Sequence, residues 1–194
     1  MLMSMEDGNR MKRFRADDPE RRQWQDPDQI LALIGLKPGM VFVDMGCNEG
    51  YFALPAAANV GPGGKVYGVD ISPEAIGHLA GKAREEGLEN MVLSVGTAEE
   101  TVVCTGCADI VFFGIDLHDF RDPLLAIRNA RSMLKPSGRL IDLDWKAEPT
   151  PFGPPPEIRF SENKAGSMIE SLGFRILAIR EAGPYHYLIE AGLT

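Results

Sequence analysis

The feature that most restricts the fold of this chain is an alternation of short apolar runs with longer helix-like segments, beginning at Val41. The apolar runs are rich in β-branched and aromatic residues and are bounded by glycine or acidic residues, which is typical of strands. The predicted strands are Val41–Met45, Lys65–Asp70, Met91–Val95, Ile110–Gly114 and Arg139–Leu143. The predicted helices are Tyr51–Asn59, Pro73–Glu86, Pro123–Leu134 (stopped by Lys135-Pro136-Ser137-Gly138) and Glu162–Leu172. This order predicts βαβ units in a parallel sheet with helices on both faces.

Two further strand-like runs close the chain, Phe174–Glu181 and Tyr185–Glu190. The residues between them are too few for a crossover, so the two runs are predicted to form a hairpin. Right-handed crossovers bring the carboxyl ends of parallel strands to one edge of the sheet, where ligands bind in such folds. The hairpin turn, with Tyr185 and His186, is expected to overlook this ligand edge.

The remaining segments divide the chain into a tail and a domain. Residues 1–25 are predicted to be an N-terminal tail that can act as a lid, and residues 26–194 a single domain. The proline-rich segment TPFGPPPE, residues 150–157, follows the fifth predicted strand at the ligand edge. It is interpreted either as a lid over the site or as a stiff connector.

The first predicted strand ends in a glycine turn, VFVDMGCNEG, with the spacing D-x-G-x-x-x-G over Asp44, Gly46 and Gly50. Glycine permits a left-handed turn and close approach of a ligand, and Asn48 is the non-glycine residue best able to share that conformation. The spacing differs from the G-x-G-x-x-G of a nicotinamide site. A dinucleotide site, a sulfonium-cofactor site and a turn that binds nothing all remain open. Asp70, at the end of the second strand, favours a ligand site because an acid there can accept hydrogen bonds from both ribose hydroxyls.

Composition restricts the class of protein. The chain has 194 residues, of which 44% are apolar, as expected for a single globular domain. Its formal charge of −8 disfavours nucleic acid or an anionic membrane as the partner. Neither an apolar run of about 20 residues nor a signal peptide is recognisable. We therefore predict a cytoplasmic protein without membrane insertion.

The cysteines are too few for a disulfide framework. Cys104 and Cys107 have the spacing of half a zinc site or of a redox pair. No second pair of ligands accompanies them, and a strand rather than a helix follows. We interpret both as small residues of a loop and predict no metal site.

Five segments taken in order carry a resemblance to a known family: DMGCNEG, VYGVDIS, VGTAEE, ADIVFFGIDLHDF and LKPSGRLIDLDW. They resemble the class I S-adenosylmethionine-dependent methyltransferases, and are similar to the group that contains the ubiquinone and menaquinone C-methyltransferases. The resemblance runs from about residue 26 to the end. It implies an α/β fold, with a Rossmann-like seven-stranded, mostly parallel sheet, helices on both faces and an antiparallel C-terminal strand. It also implies S-adenosylmethionine as the cofactor.

The resemblance further implies a set of cofactor-binding residues: Asp44, Gly46, Cys47, Gly50, Asp70, Ile71, Thr97, Ala98, Phe113 and Gly114. The glycine turn and the end of the fourth strand would hold the methionine half, Asp70 the ribose, and Ile71, Thr97 and Ala98 the adenine. Two positions depart from many relatives. Asn48 stands where they have a third glycine, and Thr97 where they have an aspartate, which predicts weaker binding of the adenine amino group.

Asp116 and His118, which follow the fourth predicted strand, are predicted to be the catalytic residues. Their spacing places both side chains toward one space in an extended segment. The structural alternatives are a packing or capping histidine and a solvated loop carboxylate. Asp144 and His186 are further candidates. A base is needed only where the acceptor carries a proton of high pKa.

The expected function is methyl transfer from S-adenosylmethionine to a small-molecule acceptor, at oxygen, carbon or nitrogen. Three alternatives remain: an RNA or protein methyltransferase, a cofactor-binding protein without turnover, and a dinucleotide oxidoreductase. The first would be supported by a basic patch formed by Lys12, Arg13, Arg15, Arg21 and Arg22. The sequence leaves the oligomeric state open.

Overall fold

The computed structural model describes residues 19–194, which form one seven-stranded sheet with the strand order β3-β2-β1-β4-β5-β7-β6. The strands are β1 (Val41–Met45), β2 (Lys65–Asp70), β3 (Met91–Val95), β4 (Ala108–Gly114), β5 (Leu134–Trp145), β6 (Phe174–Ala182) and β7 (His186–Leu193). The helices are α1 (Pro19–Trp24), α2 (Pro27–Leu33), α3 (Ala53–Val60), α4 (Pro73–Glu85), α5 (Pro123–Met133) and α6 (Glu162–Ser171). Strands β1 to β5 pair in parallel, and β7 is antiparallel to both β5 and β6. The predicted fold is confirmed, including the C-terminal hairpin.

The main difference from prediction lies at the start of β5, which begins at Leu134 rather than Arg139. The segment predicted as a helix stop lies inside this strand. It is accommodated by a register shift, because Ala108 of β4 pairs with Leu134 whereas Ile110 pairs with Arg139. The extra residues leave the regular ladder, and the ammonium group of Lys135 binds Asp109 at 2.7 Å. Pro136 and Gly138 therefore correctly indicated an irregularity at this point. They did not indicate that the strand continues on both sides of it.

The core has two layers because successive strand residues point to opposite faces of the sheet. On one face, Phe42 and Phe112 belong to a buried cluster with residues of α2 and α3. On the other, Val43 and Val111 belong to a buried cluster with residues of α5 and α6. Strands that are apolar on both faces need helices on both sides, as the sequence predicted.

The helices begin where the sequence supplies caps. The hydroxyl of Ser72 accepts a hydrogen bond from the N–H of Ala75, and Pro73 occupies the first turn of α4. Pro55 falls in the first turn of α3, where its missing N–H has no helical partner to lose. Between residues 19 and 194, no helix has both the length and the apolar character needed to cross a bilayer.

Cys104 and Cys107 form a disulfide, with their Cα atoms 6.0 Å apart. The interpretation of both as plain loop residues was therefore wrong. Gly106, between them, has a φ of 61°, and this left-handed turn brings the two side chains together. The sequence could not distinguish the possibilities, because a zinc half-site, a redox pair and an unpaired loop share the same spacing.

Candidate functional site

The glycine turn after β1 contains three residues with positive φ. Gly46, Asn48 and Gly50 have φ angles of 84°, 46° and 90°, so Asn48 adopts the conformation predicted for it. The backbone N–H groups of Gly46 and Cys47 donate to the carbonyl oxygen of Val69, at 2.8 and 2.9 Å. These two hydrogen bonds fix the turn to the end of β2.

Asp70 ends β2 and holds two turns with one carboxylate. Its Oδ2 accepts from the N–H of Asn48 and its Oδ1 from the N–H of Ser72, both at 2.8 Å. Because both oxygen atoms are held in this way, the carboxylate has a fixed position at the ligand edge. An acid was predicted at this point to bind ribose hydroxyls.

A cavity of about 500 Å³ opens at this edge. Its wall consists of the glycine turn, the end of β2, the segments after β3 and β4, and the first turn of α5. It is lined by Gly46, Asp70, Ile71, Gly96, Thr97, Ala98, Glu99, Glu100, Asp116, Asp119, Phe120, Arg121, Asp122 and Leu125. Ile71 is 71% exposed and offers an apolar side chain to a ligand.

The structure brings five predicted cofactor residues and one catalytic candidate to this cavity: Gly46, Asp70, Ile71, Thr97, Ala98 and Asp116. The other predicted cofactor residues, Asp44, Cys47, Gly50, Phe113 and Gly114, lie outside its lining. Phe113 is fully buried and packs edge-to-face against Phe120, with their ring centroids 5.3 Å apart. Gly50 lies so close to α4 that an added Cβ would come within 2.4 Å of Leu79. These residues shape the turn and the strand beneath the cavity.

The lining of the cavity is strongly acidic. Six of its side chains are carboxylates and Arg121 is the only basic residue among them. Asp70 and Asp116 were predicted, whereas Glu99, Glu100, Asp119 and Asp122 were missed. A signal for them existed, because acid pairs follow the third and fourth strands and so reach the same edge. The excess of negative charge favours a cationic ligand.

Side chains from α5 hold one wall of the cavity in place. The amide of Asn129 donates to the carbonyl oxygens of Ala98 and Glu99, at 3.0 and 2.7 Å. The carboxylate of Glu99 in turn accepts from the N–H of Asp122, at 3.1 Å. These contacts connect the segment after β3 with the start of α5, and so fix the width of the cavity between them.

Two carboxyl groups beside the glycine turn are buried without a complete set of partners. In the described part of the chain, Oδ2 of Asp44 and Oδ2 of Asp116 are both buried and accept no hydrogen bond. Burial, followed by the charge of Asp70, raises the pKa of Asp44 to about 7. Burial, followed by the charge of Asp44, raises the pKa of Asp116 well above its ordinary value. Such groups are stabilised when a cation binds beside them.

Backbone strain directs Asp116 toward the glycine turn. The preceding residue, Ile115, has a φ of 73°, which is unfavourable for a β-branched side chain. Its N–H donates to the carbonyl oxygen of Leu143 at 2.7 Å, so the end of β5 holds it in this conformation. No glycine marks this position, so the left-handed conformation could not be predicted from the residue types.

The second catalytic candidate, His118, forms a close pair with Asp144. Nδ1 of His118 lies 2.8 and 2.9 Å from the two carboxylate oxygens of Asp144, which is fully buried at the end of β5. The N–H of Trp145 also donates to Asp144, at 2.7 Å. Burial lowers the pKa of His118, but the hydrogen bond and the charge of Asp144 outweigh it, so the net shift is upward. The imidazole is almost fully buried, its Nε2 lies 3.5 Å from Oδ1 of Asp119, and it lies outside the lining of the cavity, so its catalytic role stays a prediction.

A further buried carboxyl group, which the sequence reasoning missed, lies two residues before Asp144. Asp142 is fully buried, and its pKa is raised well above the ordinary value by burial and by the charge of Asp144. Tyr187, which is paired with Asp144 across β5 and β7, also lies nearby and is almost fully buried. The raised pKa favours the protonated form of Asp142, which lies on the same strand as Asp144.

The other half of the ligand edge is covered by an aromatic cluster, formed by Trp24, Trp145, Phe152, Tyr185 and His186. Trp24 stacks on His186 with a centroid distance of 5.4 Å and an interplanar angle of 13°. Phe152 lies 4.9 Å from Trp24 and 5.0 Å from Tyr185. The hairpin turn overlooks the ligand edge as predicted, but His186 is enclosed in this cluster instead of lining the cavity.

Arg159 shapes the proline-rich segment that carries Phe152. Its guanidinium donates to the carbonyl oxygens of Lys146, Glu148 and Pro154 and to the hydroxyl of Thr150. The same guanidinium lies 4.9 Å from the ring centroid of Trp145. The segment is thus folded around one buried arginine, and it places Phe152 over the ligand edge.

Comparisons with known proteins agree with this fold. A family model described as a methyltransferase domain matches residues 36–168. A solved structure of a SAM-dependent methyltransferase from Aquifex aeolicus superposes with a TM-score of 0.86 at 29% identity, covering 94% of this chain and 100% of that one.

Two curated relatives are similar over part of the chain. Nocamycin O-methyltransferase from Saccharothrix syringae is 35% identical over 58% of this chain and 40% of its own length. Demethylmenaquinone methyltransferase from Lactococcus lactis is 29% identical over 60% of this chain and 46% of its own length. The chain thus spans less than half the length of these two relatives.

Proposed function

Because the chain belongs to the methyltransferase-domain family and is a class I S-adenosylmethionine-dependent methyltransferase, we propose that it methylates a small-molecule acceptor at the carboxyl edge of its sheet. The single observation that carries this proposal is the set of buried, unpartnered carboxyl oxygens of Asp44 and Asp116 beside an acid-lined cavity. A buried carboxylate requires a compensating charge. The cofactor brings positive charge on both its sulfonium and its ammonium group, so the residues present fit it.

The remaining residues of the cavity fit the rest of the cofactor. Asp116, in the lining, would hold its charged methionine half, and the buried Asp44 would add negative charge from beneath the glycine turn. Asp70, whose carboxylate is fixed by two backbone N–H groups, would accept hydrogen bonds from the ribose hydroxyls. Ile71 and Thr97 would contact the adenine ring. When bound, the cofactor supplies an electrophilic methyl group to the acceptor.

We assign the role of general base to His118. Its Nδ1 donates to Asp144, so Nε2 of the neutral ring, which lies 3.5 Å from Oδ1 of Asp119, is the nitrogen that would accept the proton that an acceptor hydroxyl or amine loses. Asp144 fixes the tautomer and stabilises the imidazolium that results. Asp116, the other predicted catalytic residue, acts in this proposal by its charge beside the methionine half. Most of the rate enhancement would come from positioning the acceptor against the methyl group, which is worth about 7–11 kcal/mol when two reactants are well aligned.

Charge and similarity support a small acceptor. The formal charge of −8 is unfavourable for RNA, and the two curated relatives are named for small molecules, nocamycin and demethylmenaquinone. Of the basic residues that would support a macromolecular substrate, Arg21 lies over the ring of Tyr51 and Arg22 binds Asp28, at 3.3 Å. Lys12, Arg13 and Arg15 lie outside the described residues. The family match removes the dinucleotide oxidoreductase, while the cytoplasmic location and the tail over residues 1–25 stay predictions.

Calorimetric titration tests the cofactor site. Wild type is expected to bind S-adenosylmethionine and not NAD, and Asp70→Asn is expected to weaken binding by about tenfold or more, equivalent to ~1.4 kcal/mol. Glu89→Gln, an exposed acid away from the cavity, is the matched control and is expected to bind as wild type does. Binding of NAD alone, or equal losses in the two variants, would contradict the proposed site.

A second experiment tests the acceptor class. The protein is incubated with methyl-labelled cofactor and either a panel of small hydroxylated and amino compounds or total RNA. Label in the small-molecule fraction supports the proposal. Label in RNA would favour the macromolecular alternative, and binding without label transfer to any acceptor would favour a protein that has lost turnover.

A further inference from the structure

The disulfide between Cys104 and Cys107 lies in the segment that joins the wall of the cavity to β4. Residues 96–100 line the cavity, the two cysteines follow, and β4 begins at Ala108. Both cysteines are half-buried, and the two residues between them are exposed. A reagent in solution can therefore approach the bond.

The ring that this disulfide closes is too small for the bond to act mainly as a staple of the whole fold. The two cysteines are three positions apart, and the stabilisation from a disulfide rises with the length of the loop that it closes. The third cysteine, Cys47, is buried and free. In the cytoplasm, where the sequence predicts this protein to be, disulfides are usually transient and serve catalysis or redox sensing. These observations favour a reversible bond.

The surroundings of the pair favour a target of thiol–disulfide exchange over a catalyst of it. A catalytic thiol pair usually lies at the start of a helix, whose N-terminus lowers the pKa of the attacking cysteine. Here a strand follows Cys107, and no helix in the described part of the chain begins at either cysteine. Neither thiol is activated in this way, whereas the bond itself can be attacked by an incoming thiolate.

The stretch of residues 101–105, between the cavity wall and the end of the segment, has few other attachments. The amide of Asn129 fastens the wall to α5, and the N–H of Cys107 donates to the carbonyl oxygen of Met133 at 2.9 Å. Among residues 19–194, no backbone hydrogen bond holds the stretch between these two points. The disulfide therefore supplies the covalent restraint that the backbone lacks here.

The same stretch packs directly on the cavity wall. A Cβ added to Gly96, which lines the cavity, would come within 2.4 Å of Oγ1 of Thr101. Thr101 begins the stretch, and Cys104 follows within it. A change in the path of residues 101–105 therefore moves a side chain that lies against the wall.

We propose that the Cys104–Cys107 disulfide is a reversible redox site, and that its reduction by a dithiol weakens binding in the acid-lined cavity. This inference rests on the proposed function, because the ligand affected is the cofactor. A thiolate of the dithiol forms a mixed disulfide with one cysteine, and the other cysteine leaves as a thiolate and takes up a proton. The second thiol of the reagent then displaces the first cysteine. The protein gains two electrons and two protons, and the reagent becomes a disulfide.

The first test is calorimetric titration with S-adenosylhomocysteine of the disulfide form and of the form reduced by dithiothreitol. Labelling of the denatured protein counts one thiol in the first form and three in the second, since Cys47 is free in both. The reduced form is expected to bind about fivefold more weakly or worse, a typical size for coupling between two sites. The double variant Cys104→Ser, Cys107→Ser is the matched control. It is expected to bind as the reduced form does, and dithiothreitol is expected to leave its affinity unchanged.

The second test uses the reciprocity of coupled equilibria. If the disulfide form binds the ligand more tightly, the bound ligand must make the disulfide harder to reduce by the same factor. The protein is equilibrated with mixtures of reduced and oxidised dithiothreitol, with and without S-adenosylhomocysteine. The ratio of reduced to oxidised reagent that reduces half of the protein is expected to rise with the ligand, by the factor that calorimetry gives.

The outcomes separate this inference from the proposed function. Equal affinity of the two forms for S-adenosylhomocysteine would overturn the inference and leave the cofactor site intact. Binding to neither form would contradict the cofactor site, and the coupling with it. A disulfide that is reduced only when the protein unfolds would be a structural bond, which also overturns the inference. If the double variant does not fold, the reduced wild type and the second test decide the matter.

Discussion

The carboxylate of Asp116 lies against the α-carbon of Gly46, so closely that a Cβ added to Gly46 would come within 2.5 Å of Oδ2. The two residues follow neighbouring strands, β1 and β4, and meet at the ligand edge. Position 46 therefore requires glycine for two separate reasons. Its φ of 84° is unfavourable for a residue with a Cβ, and the carboxylate of Asp116 occupies the space that a Cβ would need.

Gly46→Ala is expected to lower the free energy of unfolding by about 2–4 kcal/mol, since left-handed backbone costs ~1–2 kcal/mol and the contact with Asp116 adds to it. Gly39→Ala is the matched control, because Gly39 has a φ of 83° but open space around it. Thermal unfolding of both variants separates strain from contact. Equal losses would show that the contact with Asp116 contributes nothing, whereas partial rescue of Gly46→Ala by Asp116→Ala is expected.

Asp44→Asn is expected to stabilise the protein without its cofactor. The pKa of Asp44 is about 7 in the folded protein against an ordinary 3.8. Because the folded pKa is the higher one, the stability it contributes is complete below pH 4 and is lost as the pH rises toward 7. At ~1.4 kcal/mol per unit, the variant is expected to exceed wild type at pH 8 by about 2–4 kcal/mol.

The same variant is expected to bind S-adenosylmethionine less tightly, because the buried charge that attracts the cation is gone. Unfolding in urea at pH 4 and pH 8 measures the first effect and calorimetry the second. Glu89→Gln, at an exposed position, is the control. A variant that is less stable than wild type at pH 8 would show that Asp44 is ionised and paired before the cofactor binds.

Asp144→Asn is expected to shift the acidic limb of the pH profile of kcat/KM to lower pH. Asp144 raises the pKa of His118, and a base is active only when it has lost its proton. Removing the carboxylate lowers that pKa, so the limb shifts downward, while the plateau falls by about 10²–10⁴-fold as the ring orientation is lost. An NMR titration of His118 gives the same shift without turnover.

Asp142→Asn is the control for this experiment. Asp142 lies on the same strand, and its raised pKa favours the uncharged acid, for which an amide is a close substitute. The acidic limb of the kcat/KM pH profile of Asp142→Asn is expected to stay close to that of wild type. If the two variants shift equally, the pKa of His118 is set by the strand as a whole and not by its hydrogen bond to Asp144.

Arg159→Lys is expected to loosen the proline-rich segment, residues 150–157, together with the residues that lead into it from Lys146. An ammonium group cannot reach the carbonyl oxygens of Lys146, Glu148 and Pro154 together, as the guanidinium does. A loss of about 1.4 kcal/mol in local stability corresponds to ~10-fold faster proteolysis within the segment. Arg128→Lys, on the exposed side of α5, is expected to leave the rate unchanged. Unchanged cleavage in Arg159→Lys would show that prolines alone stiffen the segment.

The fold was predictable from sequence because its periodic signals were strong. Strands β1 and β2 begin and end where the apolar runs do, and Ser72-Pro73 marks the start of α4. The position of Asp70 at the ligand edge followed from topology alone. These features depend on local backbone preferences and on the order and direction of the strands. Both can be inferred from the pattern of residues along the chain.

The site was less predictable because its chemistry depends on contacts between distant segments. The bond between His118 and Asp144 joins positions that are 26 residues apart. The left-handed backbone of Ile115 and the raised pKa of Asp142 have no local signature, since tertiary packing imposes both. The stacking of Trp24 on His186 joins opposite ends of the chain, and neither residue type alone indicates such a partner.

The acidic wall described around the cavity also bears on how the reaction cycle ends. S-adenosylmethionine would bring a positive sulfonium to the six acidic side chains of this wall, whereas its demethylated product would bring a neutral thioether. The wall would therefore attract the product less strongly, because one of the two positive charges is missing. We expect this difference in charge to favour the exchange of spent for fresh ligand.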